Sequence, residues 1–551
     1  MPETGISSED AAQLEKTTDD LEDINVFISD TEYSQLKKEC KFSKLFVQPE
    51  EMSLEEFDCK IKLLYKCCLR GVHDLHDLHL RRKMGLRVLD DLTVRAKPEF
   101  FAVKHIIHII WSLMSCIHHF QLRLKVDKTG LISWIRQKQV QRCFKIYYRL
   151  IKLIKEPCHR IALNSIITFY KEGKLWDVEF GCTEMLIGIF KDQGRADGID
   201  DLIYTIEHCT TVNMKEAKHM LQLLNNILRK LKWNSIPENL LMKLLDMVEC
   251  SVLPYEGDTF NYMPLRRSLE NCLRNIINNL NRNDLVKLIY LVTLRLYYTG
   301  DDESKLIQPL GTMCIQAAYK YKLKSIQCPL HEGPLPITIR LFDVNNPGIL
   351  RVAVKMWQHL LDRNNNYVHF QTPKIFFREC NYNLRITKCS DQDKTFFKQA
   401  KKQIYDHIIN AILLTSDRAG LENVFTAIAV ALVDIPCGYS ASCFVSVAMS
   451  IQDYAVRITQ TNRIRSHHLH AIVLSILTLV CYVHKAQVLY DYVIGVMEKR
   501  AEWAPHLNPP LRQHYVYSQH HVLWNKPNFF FEDWEARFGL WKCFKGLKKG
   551  A

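Results

Sequence analysis

A chain of 551 residues is too long for one compact core, and 47% hydrophobic with 10% aromatic side chains is too apolar for global disorder, so several domains or an elongated repeat array are expected. Nineteen scattered cysteines, an odd number with no CxxC pair, argue against a disulfide framework and for buried thiols in a reducing compartment. The net charge of +13 hides an asymmetry: residues 1–36 hold ten acidic residues against Lys16 alone, a balance of −9, so the remainder must carry +22 for the total to stand.

Residues 1–45 read as an acidic, mostly disordered arm. From about Ser53 helical periodicity dominates and strand-like alternation is scarce, so 46–325 reads as an N-terminal helical solenoid, punctuated at Lys97-Pro98, Glu156-Pro157, Pro237 and Thr299-Gly300-Asp301. Within it, Arg81, Arg82, Lys83 and Arg87 form one basic patch. His73, His76 and His79 drift around their helix and alternate with Asp74 and Asp77, a spacing that does not match the i, i+4 pair of a zinc helix.

A second basic feature is sharper. Lys138, Arg142, Lys145, Arg149 and Lys152 step by 4, 3, 4 and 3, while Val140, Phe144, Tyr147, Ile151 and Ile154 step alike, offset by two residues. At about 100° per residue that offset puts the stripes on opposite faces. Arg136 and Lys155 extend the basic edge, and no acidic residue lies between Lys128 and Glu156. The apolar stripe is expected to dock and the basic one to face an anionic partner, whether nucleic acid, anionic lipid or an acidic protein surface.

Residues 326–348, with Pro329, Pro334, Pro336 and Pro347, read as a break or bend, and 349–535 as a C-terminal solenoid. Gly438 to Ser442 approximates a lipase nucleophile elbow, but Ser442 stands where the second glycine belongs and no strand precedes it. Leu469, Ile472, Val473, Ile476, Leu477 and Val480 keep helical spacing with Leu474, Leu479 and Val483 on the flanks, so this helix should form an inner layer; its run from Leu469 to Val483 is shorter than the roughly 20 residues of a membrane span. His467, His468 and His470 at its start read as hydrogen-bonded rather than metal-bound. In the next helix Lys499 and Arg500 suit the C-terminal dipole, and Pro505 stops it. Residues 536–551 read as a short basic, aromatic tail in which Cys543 is a candidate for acylation beside Lys548 and Lys549.

Several blocks, in order, resemble one family. They are Arg81 to Gly85 with Val88, Leu89, Asp90 and Leu92; Leu361-Asp362-Arg363-Asn364; Ile404-Tyr405 with His407-Ile408; Ile451-Gln452-Asp453; Leu469-His470-Ala471; and Arg500, Ala504, Pro505 and Leu507. The chain is similar through them to the rolling blackout family, armadillo-like plasma-membrane scaffolds that recruit a phosphatidylinositol 4-kinase. Animal members begin with a palmitoylated cysteine cluster and end in a long partner-binding tail. Here no cysteine precedes Cys40 and the sequence stops at Ala551, which marks a divergent relative.

The expected fold is therefore all-α, an armadillo/HEAT-like helical solenoid without catalytic residues, cofactor or metal. The resemblance implies a non-enzymatic scaffold, cytoplasmic and peripheral at the inner face of the plasma membrane, with subunits of a phosphatidylinositol 4-kinase complex as protein partners. The alternative is a soluble armadillo-type adaptor for acidic partners without a membrane role. Nucleic acid fits less well, because the basic stripe lacks base-reading side chains such as Asn.

Overall fold

The computed structural model describes residues 51–69, 75–122, 138–155, 157–176, 179–192, 195–232, 236–253, 260–299, 301–322, 338–516, 518 and 526–547. The acidic arm, Arg136, His73, most of the 326–348 break and Lys548-Lys549 lie outside them. About 81% of the described residues are helical and none is in a strand. The all-α expectation holds.

The chain folds as two compact units, the first ending at Ile276 and the second beginning at Ile277. The first comprises helices α1 (Leu54–Cys68), α2 (Leu75–Arg95), α3 (Val103–Leu122), α4 (Lys138–Leu153), α5 (Pro157–Glu172), α6 (Glu179–Asp192), α7 (Arg195–Val212), α8 (Met214–Lys230), α9 (Glu238–Val252) and most of α10 (Arg266–Asn279). Helix starts follow local chemistry. Ser53 caps α1 by accepting from the Glu56 N–H at 3.2 Å, Asn213 caps α8 from Lys215, and Pro157 opens α5, where a missing N–H costs nothing. In the early part of this unit each helix packs on the next but one: α1 on α3, α2 on α4, α3 on α5, α4 on α6. That second-neighbour stacking is how a solenoid buries helices that cannot bury themselves alone.

The second unit contains α11 (Arg282–Tyr298), α12 (Ile307–Tyr321), α13 (Pro347–Leu361), α14 (Asp391–Leu414), α15 (Arg418–Asp434), α16 (Gly438–Ile458), α17 (Arg463–His484), α18 (Gln487–Trp503) and α19 (Asp533–Leu547). Pro347 and Gly348, grouped in sequence with the break, start α13: Asn346 accepts from the N–H groups of Gly348 and Ile349. The same second-neighbour packing recurs, α13 on α15, α14 on α16 and α15 on α17.

Helix α17 is buried without interruption from Ser466 to Cys481. By length and composition alone it could cross a membrane, but 89% of its most apolar window is inside the fold, so it is read as the expected inner helix. Each fully buried Leu or Ile there contributes on the order of 1.5–3 kcal/mol. Arg500 departs from expectation. It is not a surface cation on the helix dipole but fully buried, donating from Nε to the Phe529 carbonyl at 2.6 Å and lying 4.7 Å from the Phe531 ring centroid.

The Leu361-Asp362-Arg363-Asn364 segment is a polar junction. Asp362 accepts from the N–H groups of Asn366 and Tyr367. Arg363 grips the buried Asp393 carboxylate through two nitrogens, at 2.8 and 3.1 Å, and reaches the Asp434 carbonyl at 3.4 Å. Asp393 also closes the capping box with Ser390 that begins α14.

Candidate functional site

Helix α4 carries out the split that its two stripes dictate. Val140, Tyr147, Ile151 and Ile154 are buried together with Cys143, Ile146 and Leu150, and the Tyr147 hydroxyl donates to the Met185 carbonyl of α6 at 2.6 Å. Lys138, Arg142, Lys145 and Lys152 are exposed on the other side and Arg149 is half-buried.

The sequence did not show what meets this stripe. Asp90, on α2, lies between Arg142 and Arg149: Arg142 Nε donates to it at 3.0 Å and the Arg149 guanidinium binds its other oxygen. Burial works to raise the Asp90 carboxyl, but the hydrogen bonds from Arg149 and Arg142 outweigh it, so the group stays below the usual carboxylate range. Because these groups remain in contact with solvent, each pair is worth no more than about 1 kcal/mol; its main effect is to orient the arginines.

Lys83, Arg87 and Asp90 step by 4 and 3 along α2, so they share one stripe of that helix. Lys83 and Arg87 are exposed. Asp90, on the same stripe of α2 as the exposed Lys83 and Arg87, thereby ties that helix to Arg142 and Arg149 on the basic stripe of α4. Two members of the first patch turn away. Arg82 is buried and donates to the Cys67 carbonyl, so it is a packing residue rather than part of a surface. Arg81 pairs with Asp77 at 2.8 Å.

A second surface, on α19, lies where a tail is expected. Ala536 and Leu540 are buried on its inner face, and Gly539 lets the helix backbone approach α18, since a Cβ there would stand 2.9 Å from the Leu489 Cα. On the outer face Trp534 (60% exposed), Phe538 and Trp541 (52%) form a row with ring centroids 6.1 and 5.9 Å apart. Lys542 sits 4.9 Å from the Phe538 ring centroid and Lys545 4.5 Å from that of Trp541. The i, i+4, i+7 spacing of the three aromatics is the signal that would have revealed it. Cys543 is half-buried, donates to the His484 carbonyl at 3.3 Å, and has its thiol pushed up by desolvation.

Other sequence features are absorbed by structure. Ser440 of the elbow-like segment is buried, and its hydroxyl donates to the Ile435 carbonyl at 2.6 Å within the first turn of α16. His79 and His119 contact one another at 3.1 Å, and among the described residues no group of three His, Cys, Asp or Glu side chains is arranged to hold a metal ion. His467, His468 and His470 are buried; His468 meets the Arg512 carbonyl at 2.8 Å.

Among solved structures, the karyopherin Kap121p bound to the SUMO protease Ulp1p is similar over 82% of this chain and 51% of that chain at 11% identity, with a TM-score of 0.27, too low to relate the two folds in detail. A curated relative, protein EFR3 homolog cmp44E of Drosophila melanogaster, is 24% identical over 160 residues, which is 29% of this chain and 19% of the fly protein. The matched stretch thus spans about a fifth of that relative's length. The family model described as EFR3, armadillo repeat, matches residues 82–529, from within α2 to the segment that receives Arg500. The family match covers most of the chain, which therefore belongs to the EFR3 family of armadillo-repeat proteins.

Proposed function

We propose that this armadillo-type scaffold is a non-enzymatic peripheral-membrane protein that helps localise a phosphatidylinositol 4-kinase complex at the inner face of the plasma membrane. The observation that supports it is the exposed basic stripe of α4, linked through Asp90 to the stripe of α2 that carries the exposed Lys83 and Arg87. Near an anionic leaflet each such cation contributes about 1 kcal/mol, enough for reversible docking and too little for stable attachment without a second contact. Exposed Trp534 and Trp541 with Lys542 and Lys545 have the composition of a headgroup-level contact of that kind.

The test is co-sedimentation of the full chain with phosphatidylserine or phosphoinositide vesicles across a salt series, with purified kinase complex then added. Binding should weaken as salt rises and be lost in the K138E/R142E/K145E variant, and kinase should sediment only when the chain is present. Equal sedimentation of that variant and the parent chain would overturn the membrane reading, and absence of binding at low salt would leave a soluble adaptor for acidic proteins.

A further inference from the structure

The outer face of α19 carries opposite charge at its two ends. Trp534, Phe538, Trp541 and Lys545 step by 4, 3 and 4, and Glu535, Phe538, Lys542 and Lys545 by 3, 4 and 3, so at about 100° per residue both rows share one face with Phe538 at its middle. The opposite face belongs to the fold: Ala536 and Leu540 are buried, and α19 packs on α16 and α18. Trp534, Phe538 and Trp541 are exposed, and an aromatic row left in water along a packed helix marks an interaction surface. Acid gathers at its start, where Glu532 accepts from the Trp534 indole at 3.1 Å and Glu535 lies in the first turn. Cations gather at its end, where Lys542 and Lys545 lie over the Phe538 and Trp541 rings. Asp533 and Arg537 pair with one another at 2.7 Å, which cancels their charges.

We propose that this face is a self-association surface, covered in water by the α19 of a second copy of the chain lying antiparallel to it. Turned end for end about Phe538, the face maps onto itself. Trp534 falls opposite Trp541 of the other copy, Glu535 opposite Lys542, and Glu532 opposite Lys545, while the two Phe538 rings meet at the two-fold axis. A two-fold contact needs this property, because the same patch must serve as both partners. In a parallel arrangement Glu535 would face Glu535 and Lys542 would face Lys542, a repulsion at each end.

An anionic surface complements only the lysine end of the face and meets Glu532 and Glu535 at the other, whereas a second copy complements both ends. The pairing does not rest on the membrane reading. A headgroup contact would use the same rings, so pairing describes the chain in water and a vesicle competes with it. One helix against one helix is a small interface, below the roughly 1,200 Å² in total of a stable complex, so the dimer is weak and reversible, with a dissociation constant of about 1–100 μM.

The experiment is sedimentation equilibrium of the full chain without lipid, over a concentration series at low salt. The parent chain should pass from one copy to two. Phe538→Glu, which enters the interface twice, should raise the dissociation constant at least about tenfold. K542E/K545E makes the face acidic throughout and E532K/E535K makes it basic throughout, so each variant alone should stay single. Mixed in equal amounts they should form a heterodimer at least as tight as the parent dimer, which also shows that both variants are folded. A parent chain that remains single up to about 100 μM would overturn the proposal, leaving the row to headgroups or another protein. Self-association undiminished in both charge variants, or no heterodimer on mixing them, would overturn it as well.

Discussion

Helices α4 and α17 are built from the same kind of apolar residue and end up in opposite situations. In α4 the apolar side chains occupy one stripe and cations the other, so the helix docks on one side and offers a surface on the other. In α17 the apolar residues run all round, and every residue from Ser466 to Cys481 is covered. Helix α17 contributes to stability and has no outward chemistry along its middle, whereas α4 is where the proposed function puts recognition, on outward residues that contribute little to the core.

Truncating the inner helix should destabilise the protein most. Leu477→Ala removes a fully buried side chain and should cost about 2–5 kcal/mol, read as a lower urea midpoint at unchanged slope. A change under about 0.5 kcal/mol would mean that α17 is not the core element described here.

Acid is the next lever, because α17 holds buried histidines and α4 holds none. Desolvation, with His506 nearby, pushes His467 down to about 3, and desolvation pushes His484 to about 4, from an ordinary 6.5. The unfolded chain therefore takes up protons first as pH falls below 6.5, while the folded state does not until about 3 to 4. Folding stability is lost across that window, by about 2 kcal/mol per group at pH 5. Urea midpoints measured between pH 7 and pH 5 should fall, and His467→Gln should flatten the slope; an equal slope in the variant would remove His467 from the account.

The mildest change falls on α4. Asp90→Asn frees Arg142 and Arg149 from their shared carboxylate and should change stability by no more than about 2 kcal/mol, the limit for two solvent-exposed pairs. It should nonetheless tighten salt-sensitive binding to phosphatidylserine vesicles. Weaker binding would mean that Asp90 is needed to aim the arginines at the ligand.

The sequence shows periodicity well and partners poorly. The two stripes of α4 and the closed apolar belt of α17 are legible because helical spacing alone decides which residues share a face. Asp90 is not legible as the partner of Arg142, since 52 residues separate them and only the stacking of α2 on α4 brings them together. Arg82 and Arg500 mislead for a related reason: an arginine in sequence suggests solvent, yet these two are buried and donate to the backbone carbonyls of Cys67, Phe529 and Leu507, with Arg82 Nε and Arg500 Nη2 left without a partner. Residues 536–547 look in sequence like a basic, aromatic tail, and only a helix that starts at Asp533 lines Trp534, Phe538 and Trp541 up on one face.

The junction at Arg363 has a mechanical consequence. One guanidinium holds the carboxylate at the start of α14 and the last carbonyl of α15, and it is itself carried just past the end of α13. Tension applied along any one of these helices is shared among three at a single point. Bending within the second unit should therefore be taken up elsewhere, with this corner serving as a fixed pivot against which neighbouring helices flex.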